Sequence, residues 1–252
     1  MVRQRHVKAP VCAFLVVDGG KMMNQNKQFA LVFRLCSLIF ALAGVMAQTG
    51  VFRGTFRPAA AMYYTIQSNL FVIILFAVLT VRTAMSLRDG LRGSVGWHSR
   101  LGMVCAVDVL VTFIVFWLVM APHAPTAYLL TFENIAVHAM TPMLCLLDYI
   151  LFSERGRIKY RDVYYVCIFP AFYLIFTTLA GLAGYVYNFG ATFGGDFVSE
   201  SMDTAPVRFP YFFLDFDRLG IMVLAYVGGI FVFFILLSHV IYLLDRKVRK
   251  VS

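Results

Sequence analysis

The chain has 252 residues, of which 61% are hydrophobic, 16% aromatic and only 14% charged, with a formal net charge of +9 and a mean hydropathy of +0.79. That composition excludes an ordinary water-soluble domain, whose surface would carry more charge and whose interior would take up less apolar area. The positive charge excludes less, because basic residues bind nucleic acid as well as anionic lipid, and their places along the chain must decide.

In chain order, a short apolar run, VCAFLVV, follows Pro10. It is too brief to cross a bilayer and no small-residue cleavage site follows it, so it reads as a cytoplasmic or interfacial stretch and not as a signal peptide. Six longer runs follow at 29–48, 61–83, 101–120, 132–152, 163–185 and 219–244. Each reaches the roughly 20 residues that cross about 30 Å of hydrocarbon at 1.5 Å per residue. The expected fold class is therefore all-α: a polytopic membrane protein, a bundle of six transmembrane helices. Residues 1–28 form an amino-terminal segment, 29–245 the transmembrane domain and 246–252 a basic tail.

Of the 22 Lys and Arg residues, only Arg53, Arg57, Arg208 and Arg218 fall in the loops after the odd-numbered spans, and Arg34 lies within a span. All the others border the opposite side, in groups such as Arg155, Arg157, Lys159 and Arg161, which predicts that both termini are cytoplasmic. Each basic cluster abuts a span, so lipid headgroups are the expected partner and nucleic acid is not. Cys12, Cys36, Cys105, Cys145 and Cys167 fall in spans or in the inner amino-terminal segment, and no disulfide is expected. The long connection 186–218 carries Asp196, Glu200 and Asp203 and is dense in aromatics, including Phe189, Phe193, Phe197, Phe209, Tyr211, Phe212, Phe213 and Phe216. It reads equally as a cover over a site or as an interfacial aromatic belt.

Polar groups inside spans carry the functional information, since each must find a partner or line a cavity. At 100° per residue Thr65, Ser68 and Asn69 share one face of the second span while Gln67 points elsewhere. In the fourth span Asn134, His138, Thr141, Cys145 and Asp148 recur at spacings of three and four, forming one stripe. Pro142 cannot donate to the carbonyl of His138, so that acceptor is freed and a bend is expected there. Thr65 lies about 6 Å and His138 about 10 Å below the outer ends of their spans, which makes them level. A hydroxyl level with an imidazole permits nucleophilic catalysis, with His138 as base, Asn134 orienting its ring, and Gln67, Ser68, Asn69 or Asn134 as oxyanion donors. The same residues also serve as ordinary helix-to-helix contacts. Arg34 and Asp108 are expected to form a buried ion pair, with binding of a substrate carboxylate or proton transfer as the alternative roles. Asp148 and Asp245 sit at inner helix ends within reach of the basic loops. The scattered histidines predict neither a haem nor a metal site, and the chain contains no GxS motif of a rhomboid-type serine protease.

YYTIQSNL at the head of the second span, ENIAVHAMTPMLCLLDYILF in the fourth and FPYFFLD before the sixth together resemble the androgen-induced protein and androgen-dependent TFPI-regulating protein family, in its prokaryote-like branch. The resemblance covers about 29–244, including the six-helix layout. It implies a membrane threonine hydrolase that cleaves fatty acid esters of hydroxy fatty acids, without metal or cofactor. It also implies that Thr65 is the nucleophile and His138 its partner, that a lipid ester enters from the bilayer, and that the location is a bacterial plasma membrane. Animal members carry an acid shortly after the threonine, where this chain has IQSN, and their loop before the last span is shorter; the implied chemistry transfers better than the specificity. The rival expectation is a transporter using Arg34, Asp108 and His138 as an ion or proton path.

Overall fold

The computed structural model describes residues 21–90, 99–154, 156–187 and 208–249. VCAFLVV, Arg3, Arg5, Lys8, Cys12, Arg92 and Arg155 lie outside the described residues, as do Phe189, Phe193, Asp196, Phe197, Glu200 and Asp203. Among those described, six helices are long and apolar enough to cross a membrane. They are α1 (Lys21–Gln48), α2 (Tyr64–Arg88), α3 (Ser99–Met120), α4 (Phe132–Phe152), α5 (Tyr160–Leu182) and α6 (Met222–Arg249). Apart from the start of α1, which lies eight residues before the expected one, the ends of the expected and observed spans agree within about five residues. The protein is thus an all-α, multi-pass membrane bundle.

Local chemistry sets the helix starts. A one-turn stretch opening at Pro58 delivers extended Tyr63 as the residue before α2. Thr131 caps α4 by accepting the N–H of Asn134 at 3.3 Å. Asp215 caps the short helix Phe216–Leu219, which leads into α6, through the N–H groups of Asp217 and Arg218.

Packing is centred on α3, half of whose most apolar window is buried, whereas only 17% of that of α6 is. Val72, Phe76, Met103, Val107, Cys145, Tyr149 and Phe234 form the heart of the main core, contributed by α2, α3, α4 and α6. α1 lies against α2 and α4, and the amino-terminal part of α5 lies against α6 and α3. Gly44 makes the α1–α4 approach possible, since a Cβ there would stand 2.7 Å from Ala136 Cβ. One end of the bundle, called the basic end below, gathers Lys27, Arg88, Arg100, Arg157, Lys159 and Arg246. The other, the aromatic end, gathers Tyr63, Tyr173, Tyr187, Phe209, Tyr211 and Phe213 in one buried cluster.

The expected Arg34–Asp108 pair does not form. Arg34, 1% exposed, grips Asp148 instead, with Nε 2.6 Å from Oδ1 and Nη2 3.3 Å from Oδ2. Its Nη1 donates to Thr83 Oγ1 at 2.8 Å and its guanidinium lies over the Phe152 ring. The reason is adjacency: α1 packs on α4, which carries Asp148, and Asp108 belongs to α3. Asp148 accordingly serves the bundle interior and not a basic loop. Asp245 does reach a loop, accepting the Gly156 N–H at 2.9 Å.

Candidate functional site

The polar stripe of α4 faces inward, with Asn134, His138, Thr141, Cys145 and Asp148 all buried. The irregularity expected from Pro142 takes the form of a π turn over Ala136–Met140, which contains His138. Trp117 Nε1 donates to the freed His138 carbonyl at 3.1 Å. Trp117 lies in a second π turn, Phe116–Met120 at the end of α3. Phe116 from that same turn stacks on the His138 ring, with centroids 3.7 Å apart. Two irregular turns thus meet face to face and fix the imidazole.

His138 Nδ1 lies 3.2 Å from the backbone carbonyl of Asn134. A proton on Nδ1 makes that contact a hydrogen bond and leaves Nε2 with its lone pair. The ring is therefore oriented by the main chain of Asn134. The side chain of Asn134 is used otherwise, its Nδ2 donating to Leu129 O at 3.1 Å.

Asn69 joins α2 to this region. Its Nδ2 donates to Thr65 O at 2.7 Å and to Val137 O at 3.0 Å, so one amide nitrogen holds the carbonyls of Thr65 and of the residue before His138. Ser68 Oγ donates to Thr65 O at 3.0 Å and lies 3.3 Å from Thr112 Oγ1. Gln67 turns away, as its helical angle requires, and donates to Ala61 O at 3.0 Å. All four residues expected as oxyanion donors are thus engaged with main-chain carbonyls.

Thr65 lines a cavity of about 90 Å³ at the aromatic end. Its walls are largely apolar, from Val111, Val115, Phe116, Ile230 and Phe234, and Tyr211, Phe213 and Leu214 form part of the lining. The described part of the long connection therefore contributes to a cavity wall as well as to the aromatic cluster. Among the described residues no hydrogen bond joins the Thr65 hydroxyl to the His138 ring. His138 stands behind Phe116, which does line the cavity.

The residue that sequence reasoning missed is Tyr211. Its hydroxyl accepts the N–H of Tyr64 at 3.1 Å, serving the exposed amides at the start of α2 that Tyr63 leaves uncapped. Thr65 and Tyr211 line the same cavity. Burial pushes the Tyr211 hydroxyl up to about 12, so it remains a neutral donor at ordinary pH. The only signal in the sequence was the aromatic density of FPYFFLD.

Among the described residues no group of three or more His, Cys, Asp or Glu side chains is placed to hold a metal ion. Cys36, Cys105, Cys145 and Cys167 are free thiols. No family model, curated protein or solved structure matches the chain.

Proposed function

We propose that the protein is an intramembrane lipid-ester hydrolase with Thr65 as nucleophile and His138 as general base. The observation that carries this reading is the Asn69 bridge, which ties Thr65 to the π turn of His138 at the wall of an apolar cavity. The short motifs that resemble those of the androgen-induced protein family add to it. In this mechanism Thr65 Oγ1 turns toward His138 Nε2, loses its proton to the ring and attacks the ester carbonyl. The Tyr211 hydroxyl, which keeps its own proton, takes the oxyanion role that the engaged amides do not fill. The protonated histidine gives its proton to the leaving alcohol, and water then releases the acid from acyl-Thr65. The apolar walls suit an acyl chain, and fatty acid esters of hydroxy fatty acids or related lipid esters entering from the bilayer are the proposed substrates. By the charge rule the basic end is cytoplasmic, with both termini there; a bacterial plasma membrane is proposed from the prokaryote-like resemblance alone.

A second reading, a transporter, draws on Asp108, an intramembrane carboxyl that faces a cavity without an ion-pair partner among the described residues. Arg34 fits that reading poorly, since Asp148 and Thr83 already hold it. Purified protein in liposomes separates the two. Hydrolysis of a lipid ester that disappears in Thr65→Ala supports the hydrolase, whereas movement of an intact solute that needs Asp108 supports the transporter.

A further inference from the structure

A second cavity, of about 1050 Å³, lies toward the basic end between α2, α3 and α5 and is also open at the side, where Phe71, Ile168 and Phe172 are exposed. Its mouth carries Arg100, Glu154, Arg157 and Lys159, and its walls include Leu101, Val104 and Phe172. From Ser99 to Asp108 it follows α3 for about 14 Å at 1.5 Å per residue. Asp108 lies at its deep end, 3% exposed. Among the described residues its one side-chain hydrogen bond is from the Tyr64 hydroxyl, at 3.4 Å, and no cation pairs with it. A carboxyl in mid-span without a counter-ion is costly unless water reaches it, so intramembrane acids of this kind face wet cavities.

Tyr64 lines the other cavity together with Thr65. The Tyr64–Asp108 contact therefore stands where the two spaces meet. Hydroxyls continue on the far side, with Thr112 donating to the Asp108 carbonyl at 3.1 Å and lying 3.3 Å from Ser68. The Thr65 cavity itself has few polar walls and offers a water little to hold it.

We propose that the basic-end cavity is a hydrated channel that supplies the water for deacylation to Thr65, with the Tyr64–Asp108 contact as its inner door. This rests on the hydrolase reading. In the step served, water adds its hydroxyl to the acyl carbon and the bond from that carbon to Thr65 Oγ1 breaks. The proton of water passes through His138 to Thr65 Oγ1, and the free acid leaves. Asp108 is a positioning residue here, acting on the water and not on the ester.

Two measurements test the proposal, and they fail independently of one another. In the first, Val104→Cys and Val240→Cys are made in a Cys105→Ala background, reconstituted in bilayers, and treated with a charged, membrane-impermeant methanethiosulfonate. Val240 is exposed on α6, away from the cavity, and serves as the reference. Modification of Val104→Cys at least about tenfold faster, read by mass spectrometry, is expected, because the reactive thiolate needs a polar setting. Equal or slower modification overturns the hydrated channel whatever the protein hydrolyses. In the second, Asp108→Leu is assayed with a chromogenic ester. The first-turnover burst should persist while steady-state turnover falls by roughly tenfold, the signature of slowed deacylation. Asp108→Asn, which keeps a polar floor, should stay within a few-fold of wild type and covers the case in which the leucine variant does not fold. Equal slowing of burst and steady state, or an Asn variant as slow as the Leu one, overturns the water route. A wild type that turns over no ester removes the hydrolase reading and the channel's role in it, and the thiol measurement still decides whether the cavity is wet.

Discussion

Replacing Arg34 by methionine tests one of the two most heavily buried charged residues in the described bundle. Both partners are desolvated, with side-chain exposures of 1% for Arg34 and 8% for Asp148, so solvent screens the pair little. Removing the guanidinium leaves Asp148 as an uncompensated buried carboxylate, which costs about 3–5 kcal/mol in comparable pairs. The bond to Thr83 and the contact over Phe152 are lost with it and push the cost toward the upper end. At roughly 2–4 °C per kcal/mol for a chain of this size, Tm should fall by about 6–20 °C. The assay is thermal unfolding of purified protein in one detergent, followed by intrinsic fluorescence. Arg34→Met with Asp148→Leu should recover most of the loss, because both buried charges are then gone. Arg34→Met with Asp108→Leu should recover none. Rescue by the Asp108 change and not by the Asp148 change would refute the pairing.

Gly44→Ala places a methyl against Ala136 beside the His138 turn and should cost about 1–3 kcal/mol, measured by the same unfolding assay, with Ala136→Gly in the same chain restoring it. Tyr211→Phe removes a helix cap and the proposed oxyanion donor; it should cost about 1 kcal/mol of stability while lowering kcat by about 10²–10³. Because burial raises the Tyr211 pKa to about 12, its neutral hydroxyl contributes stability fully below the ordinary tyrosine range near 10. That contribution is lost as pH rises toward and through about 12, so alkaline unfolding of Tyr211→Phe should lack this part of the wild-type profile. His138→Ala should slow ester turnover by about 10²–10⁴, the range for a lost general base.

The six spans and the buried faces of α2 and α4 were legible because hydropathy and helical period are local properties. Pro142 announced the irregular turn at His138, since a missing N–H at a fixed offset frees a named carbonyl. Three features were not legible. The partner of Arg34 depends on which helices are neighbours, whereas depth pointed to Asp108 and put Asp148 at an inner helix end facing the basic loops. The orienting group for His138 is the carbonyl of Asn134, and sequence draws attention to side chains. Tyr211 sits in a connection without periodicity, so nothing local distinguished it from the aromatic residues around it. The Thr65 hydroxyl was expected level with the imidazole, and among the described residues no hydrogen bond joins the two; Phe116, which lines the cavity with Thr65, stacks on the His138 ring.

The nucleophile assignment is tested most directly by trapping the acyl intermediate. Protein mixed with a lipid ester is quenched in acid and digested, and the peptide containing Thr65 is weighed by mass spectrometry. An acyl mass on Thr65 in the wild type, absent in Thr65→Ala and restored on the new hydroxyl of Thr65→Ser, is the predicted result. Thr65→Ala should fold normally, since one partly exposed hydroxyl is worth at most about 1 kcal/mol. Wild-type ester turnover by Thr65→Ala, or an acyl group carried on a different residue, would contradict it.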